Sequence, residues 1–233
     1  MRRIIVVNSK GGCGKTTIAT NLASLYAARG LRTALFDYDP QGSSMCWLEA
    51  RPPQAARIHG VAAHQRTPGG LTRSFQLRVP LETERLIIDT PASLDKPQLL
   101  DHLRGADMIL VPVAPSAIDT RAATAFISDL LAANRSSRAR VAIVANRVRA
   151  NTIGFQTLER FLETANVPVV ARLRDSQYYV QSAERGLGIQ ELDLYRARYE
   201  LPHWQRMLDW LEKDATTEPA PVNGVRAAHF APA

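Results

Sequence analysis

The sequence predicts an α/β fold: a mostly parallel twisted sheet with helices on both faces, a three-layer sandwich. Three observations carry this. Short apolar runs alternate with helical patterns along the whole chain, which is how buried parallel strands and their crossover helices read. A glycine-rich string sits between the first apolar run and the first helical pattern. Polar and acidic motifs fall just after the apolar runs, where ligands bind in such sheets, at the carboxyl ends of the strands.

The first strand is expected at 4–7, a continuous Ile-Ile-Val-Val run, and the first helix at 16–28, whose apolar spacing fits one helical face. Strands follow at 33–36, 86–88, 108–111, 141–145 and 167–170, each an apolar run bounded by turns. Helical patterns lie between them at 98–103, 117–133, 152–164 and 176–185. In 50–84, Pro52-Pro53, Pro68-Gly69-Gly70 and Pro80 interrupt any regular pattern, so only short elements are expected there. Trp204, Met207, Leu208 and Leu211 follow i, i+3, i+4, i+7 spacing. That stripe suits a helix packed on the core better than one lying on a membrane, because Asp209, Glu212 and Asp214 accompany it. One domain is expected over 1–212. The stretch 213–233, rich in Pro, Ala, Thr and Gly, reads as a disordered tail.

A chain of 233 residues that is 45% hydrophobic can bury one sizeable core. No apolar stretch approaches the roughly 20 residues that span a bilayer. Arg2 and Arg3 precede an apolar run too short for a signal peptide, and Cys13 and Cys46 make no disulfide framework, so a cytoplasmic, reducing location is expected. The formal net charge is +7, and of 29 basic residues only Lys10, Lys15, Lys96 and Lys213 are lysines. Arginine suits bidentate phosphate contacts, so a polyanionic partner, DNA, is favoured over a merely solvated basic surface.

Lys10-Gly11-Gly12-Cys13-Gly14-Lys15-Thr16-Thr17 joins the first strand to the first helix. Strand, glycine loop and helix form the context of a phosphate-binding loop: glycines let backbone N–H groups turn toward phosphate oxygens, and the helix N-terminus adds positive potential. Lys15 can reach the β- and γ-phosphates, and the Thr16 hydroxyl can ligate Mg²⁺. Ser9 stands where the ordinary loop has its first glycine, and Lys10 is an additional lysine. The second strand leads into Asp37-Tyr38-Asp39-Pro40-Gln41-Gly42, two carboxylates at i and i+2 expected to point to one edge. Leu86-Ile87-Ile88-Asp89 is an apolar strand ending in an acid that can bind Mg²⁺ through the metal's water shell. Asn146 ends another strand, where its amide can both donate to and accept from an adenine edge or simply make a turn.

The loop with its extra lysine, the D-x-D-P-Q-G box, the strand ending in Asp89 and the segment Val111–Ser116 resemble the ParA/MinD family of P-loop ATPases with a deviant Walker A box. The likeness runs over about 1–212 and is nearest the short types, such as Soj, ParF and the carboxysome-positioning McdA proteins, which begin at the first strand. It implies ATP and Mg²⁺ as cofactors, with Gly11, Gly12, Cys13, Gly14, Lys15, Thr16 and Thr17 around the nucleotide. It implies that Asn146 and Arg147 lie beside the adenine, and that Thr16, Asp37, Asp39 and Asp89 serve the metal. Asp39 assists hydrolysis together with Lys15, while Lys10 reaches a partner's nucleotide in an ATP-bound homodimer. Arg172, Arg174, Arg185, Arg196, Arg198 and Arg206 are candidates for nonspecific contacts with nucleoid DNA. The function implied is an ATPase switch that partitions or positions a plasmid, chromosome or carboxysome-like cargo, stimulated by a partner protein. A MinD-like membrane-surface regulator is the alternative. A metabolic P-loop reductase would need cluster-ligating cysteines, which Cys13 and Cys46 do not supply.

Overall fold

A computed structural model describes residues 1–65, 72, 77–135, 137 and 139–213, with the side chains of Ala117, Leu194 and Arg196 outside that description. Seven parallel strands form one sheet: β1 (Arg2–Val6), β2 (Thr33–Asp37), β3 (Ile58–Ala62), β4 (Arg85–Asp89), β5 (Met108–Val113), β6 (Arg140–Val148) and β7 (Val169–Arg174). Their spatial order is β3-β2-β4-β1-β5-β6-β7. Among the described residues the helices are α1 (Lys15–Ala28), α2 (Ser43–Glu49), α3 (Lys96–Leu103), α4 (Ala117–Asn134), α5 (Ile153–Thr164), α6 (Gln177–Glu184), α7 (Leu194–Ala197) and α8 (Leu201–Glu212), with a 3-10 turn at Ile189–Glu191.

Successive strand residues point to opposite faces, and the sheet therefore has two cores. Ile4, Val6, Leu35, Ile87 and Leu110 meet α1, α8 and Trp47 of α2 on one face. Ile5, Val7, Phe36, Ile88, Ile109 and Val111 meet α3, α4 and α5 on the other. Double-sided burial is why the strands read as continuous apolar runs rather than alternating ones. The apolar stripe of α8, with Trp204, Met207, Leu208 and Leu211 all buried, belongs to the first core, as the sequence suggested.

Three elements differ from the sequence-based expectation. α2 falls where no element was anticipated, and β3 is one of the short elements expected within 50–84 but not placed there. The last strand begins after Pro168 at Val169, later than the expected 167–170, and runs on to Arg174. Pro68-Gly69-Gly70 and the expected tail from Asp214 onward lie outside the described residues.

The register positions the site. Val6 pairs with Asp89, and Asp37 pairs with the same Asp89 from the other side. The ends of β1, β4 and β2 thus form one row, with the glycine loop leaving from one member and two acids on the others.

Candidate functional site

The glycine loop is pinned from below. Asn8, buried at the end of β1, donates from Nδ2 to the Pro112 carbonyl at 2.6 Å and accepts from the Lys10 N–H at 3.2 Å. Gly12 and Gly14 take φ of 75° and 96°, in the left-handed region that strongly favours glycine. Gly14 is constrained a second time, because a Cβ there would lie 2.0 Å from Asn146 Nδ2. That amide donates to the Cys13 carbonyl at 2.8 Å. Asn146 thus supports the loop from beneath, while Arg147 follows exposed at φ 54° within an irregularity of the β6–β7 pairing. Cys13 is buried, which pushes its thiol up against the pull of Lys15.

The two lysines differ. Lys15, the first residue of α1, is 7% exposed, and its ammonium donates to the Lys10 carbonyl at 3.2 Å. Lys10 is half-buried, its backbone held at both ends, and its ammonium makes no hydrogen bond or ion pair among the described residues.

Three acids occupy the adjacent strand ends. Asp89 is buried and its Oδ2 accepts from the Thr16 hydroxyl at 2.8 Å and the Ser44 hydroxyl at 2.7 Å. Its Oδ1 is buried with no hydrogen-bond partner. Burial pushes the Asp89 carboxyl up to about 7 against those hydroxyl donors. Asp37 is fully buried, and both its oxygens accept from backbone: Oδ1 from Asp39, Oδ2 from Ser44 and Met45. It is the acidic cap of α2, whose N-cap Gly42 has no side chain to serve that end. Asp39 lies past the end of β2, half-exposed, accepting from the Gln41 N–H at 3.0 Å. Strand alternation stops at Asp37, so the two acids are not the matched pair their spacing suggested. One caps a helix, and the other lies half-exposed beyond the strand, bonded to the Gln41 N–H.

This donor set fits a Mg²⁺-bound nucleoside triphosphate. A buried carboxylate oxygen without a donor, next to a threonine hydroxyl at the start of a helix, suits a cation's water shell. The loop's left-handed glycines and the α1 N-terminus suit phosphate oxygens. Ser44 and Asn8 went unnoticed in the sequence. Asn8 adjoins the loop, but a buried amide before a glycine string has no distinguishing spacing.

The arginine candidates scatter. Arg172 forks onto Glu159 at 2.9 and 3.2 Å. Arg174 lies 3.7 Å from the buried Glu200 and over the Tyr199 ring. Arg198 stacks on Tyr195 and Tyr199 at 4.4 and 4.5 Å from the ring centroids. Arg185 and Arg206 are exposed, and the Arg196 side chain lies outside the described ones. Arg174 and Arg198 converge on Tyr199; Arg172 is tied to α5 instead. Among the described residues, no helix is long and apolar enough to cross a membrane.

Residues 4–189 match the family model of the CobQ/CobB/MinD/ParA nucleotide binding domain. The maintenance of carboxysome distribution protein A of Halothiobacillus neapolitanus is 29% identical over 192 residues, covering 81% of this chain and 87% of that protein. The same-named protein of Gloeobacter kilaueensis is 29% identical over 215 residues, 91% of this chain and 95% of that one. The chromosome-partitioning ATPase Soj of Thermus thermophilus is 34% identical over 137 residues, 48% of this chain and 55% of that one. Among solved structures, apo McdA of Cyanothece superposes with a TM-score of 0.69 at 16% identity, over 89% of this chain and 99% of that one. The MinC:MinD complex of Aquifex aeolicus gives 0.68 at 15% identity, over 95% and 98%. At such identities the superpositions speak for the fold.

Proposed function

Because the chain belongs to the CobQ/CobB/MinD/ParA nucleotide binding domain family, we propose that it is an ATP-dependent dimerisation switch that positions a large intracellular cargo along nucleoid DNA. The single observation that carries this reading is Lys10. Its backbone is fixed in the loop, yet its ammonium has no partner among the described residues of its own chain. Lys15, by contrast, is buried within its own loop. A second fixed cation at the rim is suited to phosphate held by another copy. Such a contact exists only in the ATP-bound dimer and gives the nucleotide a differential affinity for that state, as any ligand-driven switch requires.

Thr16 and Asp89 would hold the metal, and Asp39, half-exposed past the end of β2, would orient the attacking water. Bound Mg²⁺ would offset charge on the β- and γ-phosphates. Dimerisation doubles the arginines available to duplex phosphates, so weak contacts on each subunit sum to retention on DNA. A partner protein stimulates hydrolysis and resets the cycle. The cargo is of the carboxysome class, which the names of the two relatives covering most of the chain support. The membrane-surface alternative finds no support in α8, whose apolar stripe is buried in the core.

The test is Lys10→Ala. By light scattering, the wild type dimerises with ATP and Mg²⁺, whereas the variant stays monomeric while still binding ATP. A variant that dimerises normally overturns the switch.

A further inference from the structure

We propose that Ser44 is a positioning residue for the metal: it fixes the Asp89 carboxylate so that one chosen oxygen faces Mg²⁺. The inference rests on the nucleotide reading above. Ser44 is the second residue of α2 and fully buried. Its N–H donates to Asp37 Oδ2 at 3.0 Å and its hydroxyl to Asp89 Oδ2 at 2.7 Å. It therefore bridges the two acids that the β2–β4 register sets side by side.

Thr16 and Ser44 donate to the same oxygen of Asp89, and Oδ1 receives nothing. These two donors have different freedoms. A Thr16 hydroxyl that ligates a cation uses a lone pair and can go on donating its proton to Oδ2, but its position must then satisfy both the metal and the carboxylate. Ser44 has no such second task, and its backbone is fastened through its N–H to Asp37. A buried carboxylate that loses its last donor pays a full desolvation cost. Ser44 guards against this, keeping Oδ2 bonded and leaving Oδ1 as the buried oxygen without a donor when the Thr16 hydroxyl adjusts to a metal. Partners of this kind orient ligands from behind, and their removal typically lowers metal affinity by about 10- to 100-fold.

The experiment is binding of a fluorescent ATP analogue, first in EDTA and then during a Mg²⁺ titration, with the full chain. Ser44→Ala should bind the analogue in EDTA as the wild type does, but should need at least about tenfold more Mg²⁺ for the metal-dependent increase in affinity. Ser44→Cys, nearly isosteric with a weak S–H donor, should fall between them. Ser44→Ala with a wild-type Mg²⁺ midpoint overturns the proposal. So does an equal loss of binding with and without Mg²⁺, which is what a purely structural serine would produce. A wild-type chain that binds no analogue at all defeats the nucleotide reading itself and is recognisable as such.

Discussion

Asp89 sits almost wholly inside the protein, and desolvation pushes its carboxyl up to about 7, with the Ser44 and Thr16 hydroxyls opposing. The unfolded value is near 3.9. The folded nucleotide-free chain thus holds this proton more tightly than the unfolded chain does. Its contribution to stability is fully present below about pH 4 and is lost as pH rises through about 7. Asp37, also raised by burial, adds the same sign; His203, lowered by burial, adds the opposite one. The informative quantity is therefore the difference between variants. Asp89→Asn, which carries no charge to bury, should gain melting temperature relative to wild type between pH 5 and 7.5, measured without nucleotide. A difference that stays flat with pH contradicts the assignment. At this scale the sequence was legible wherever chemistry follows from contiguous spacing, as in Lys10–Thr17 and Asp89. Ser44 was not, because its contact is with an acid 45 residues away and exists only once β2 and β4 are in register.

Helix α2 shows what a short element can do and why it hides. Its seven residues are too few for a helical period to be read, and its N-terminus is held by Asp37 rather than by a cap residue beside it. β3 hid for another reason. It is an edge strand carrying exposed His59 and Gly60, so it lacks the apolar run of its neighbours. Gly60 lies close under α2: a Cβ there would come 2.5 Å from Leu48 Cδ1, the movable end of that side chain. The far end of α2 is tied to the turn before α7. Trp47 Nε1 donates to the Leu187 carbonyl, and just past the helix Arg51 forks onto Glu191 at 2.8 and 2.6 Å while also reaching the Gly186 carbonyl. The Arg51 side chain is only 6% exposed, and its removal takes the donors from the Gly186 and Ala56 carbonyls and leaves the Glu191 carboxylate only the Gly188 N–H. Arg51→Ala should cost about 3–5 kcal/mol in urea unfolding. Arg51→Lys should recover little, since one ammonium cannot reproduce the fork. A loss below about 1 kcal/mol in the alanine variant would mean that α2 is not anchored there.

Across the whole molecule, the basic charge read from composition is divided between structure and surface. Arg2 and Arg85 converge on Glu212 at the end of α8, where the Tyr26 hydroxyl also donates, and this clamp fastens the last helix beneath β1 and β4. Arg51 and Arg172 are likewise occupied by Glu191 and Glu159. Composition cannot distinguish an arginine that closes a fold from one that meets a polyanion, because the distinction lies in which glutamate the topology brings near. The parallel sheet was legible, since buried strands announce themselves, but the charge map needed the fold. It makes the DNA reading selective. In the ATP-bound dimer, duplex affinity should fall with salt in proportion to the phosphates neutralised, at about 0.9 per contact on a log–log plot. Arg198→Gln with Arg206→Gln removes two exposed cations from each protomer, and the slope should drop by up to about 4. Arg172→Gln frees Glu159 instead, so it should weaken folding and leave the slope unchanged. If the first pair leaves the slope untouched, the duplex does not meet the α7–α8 surface; if Arg172→Gln alone lowers it, the fork to Glu159 opens on DNA and Arg172 belongs with the cations that meet the polyanion.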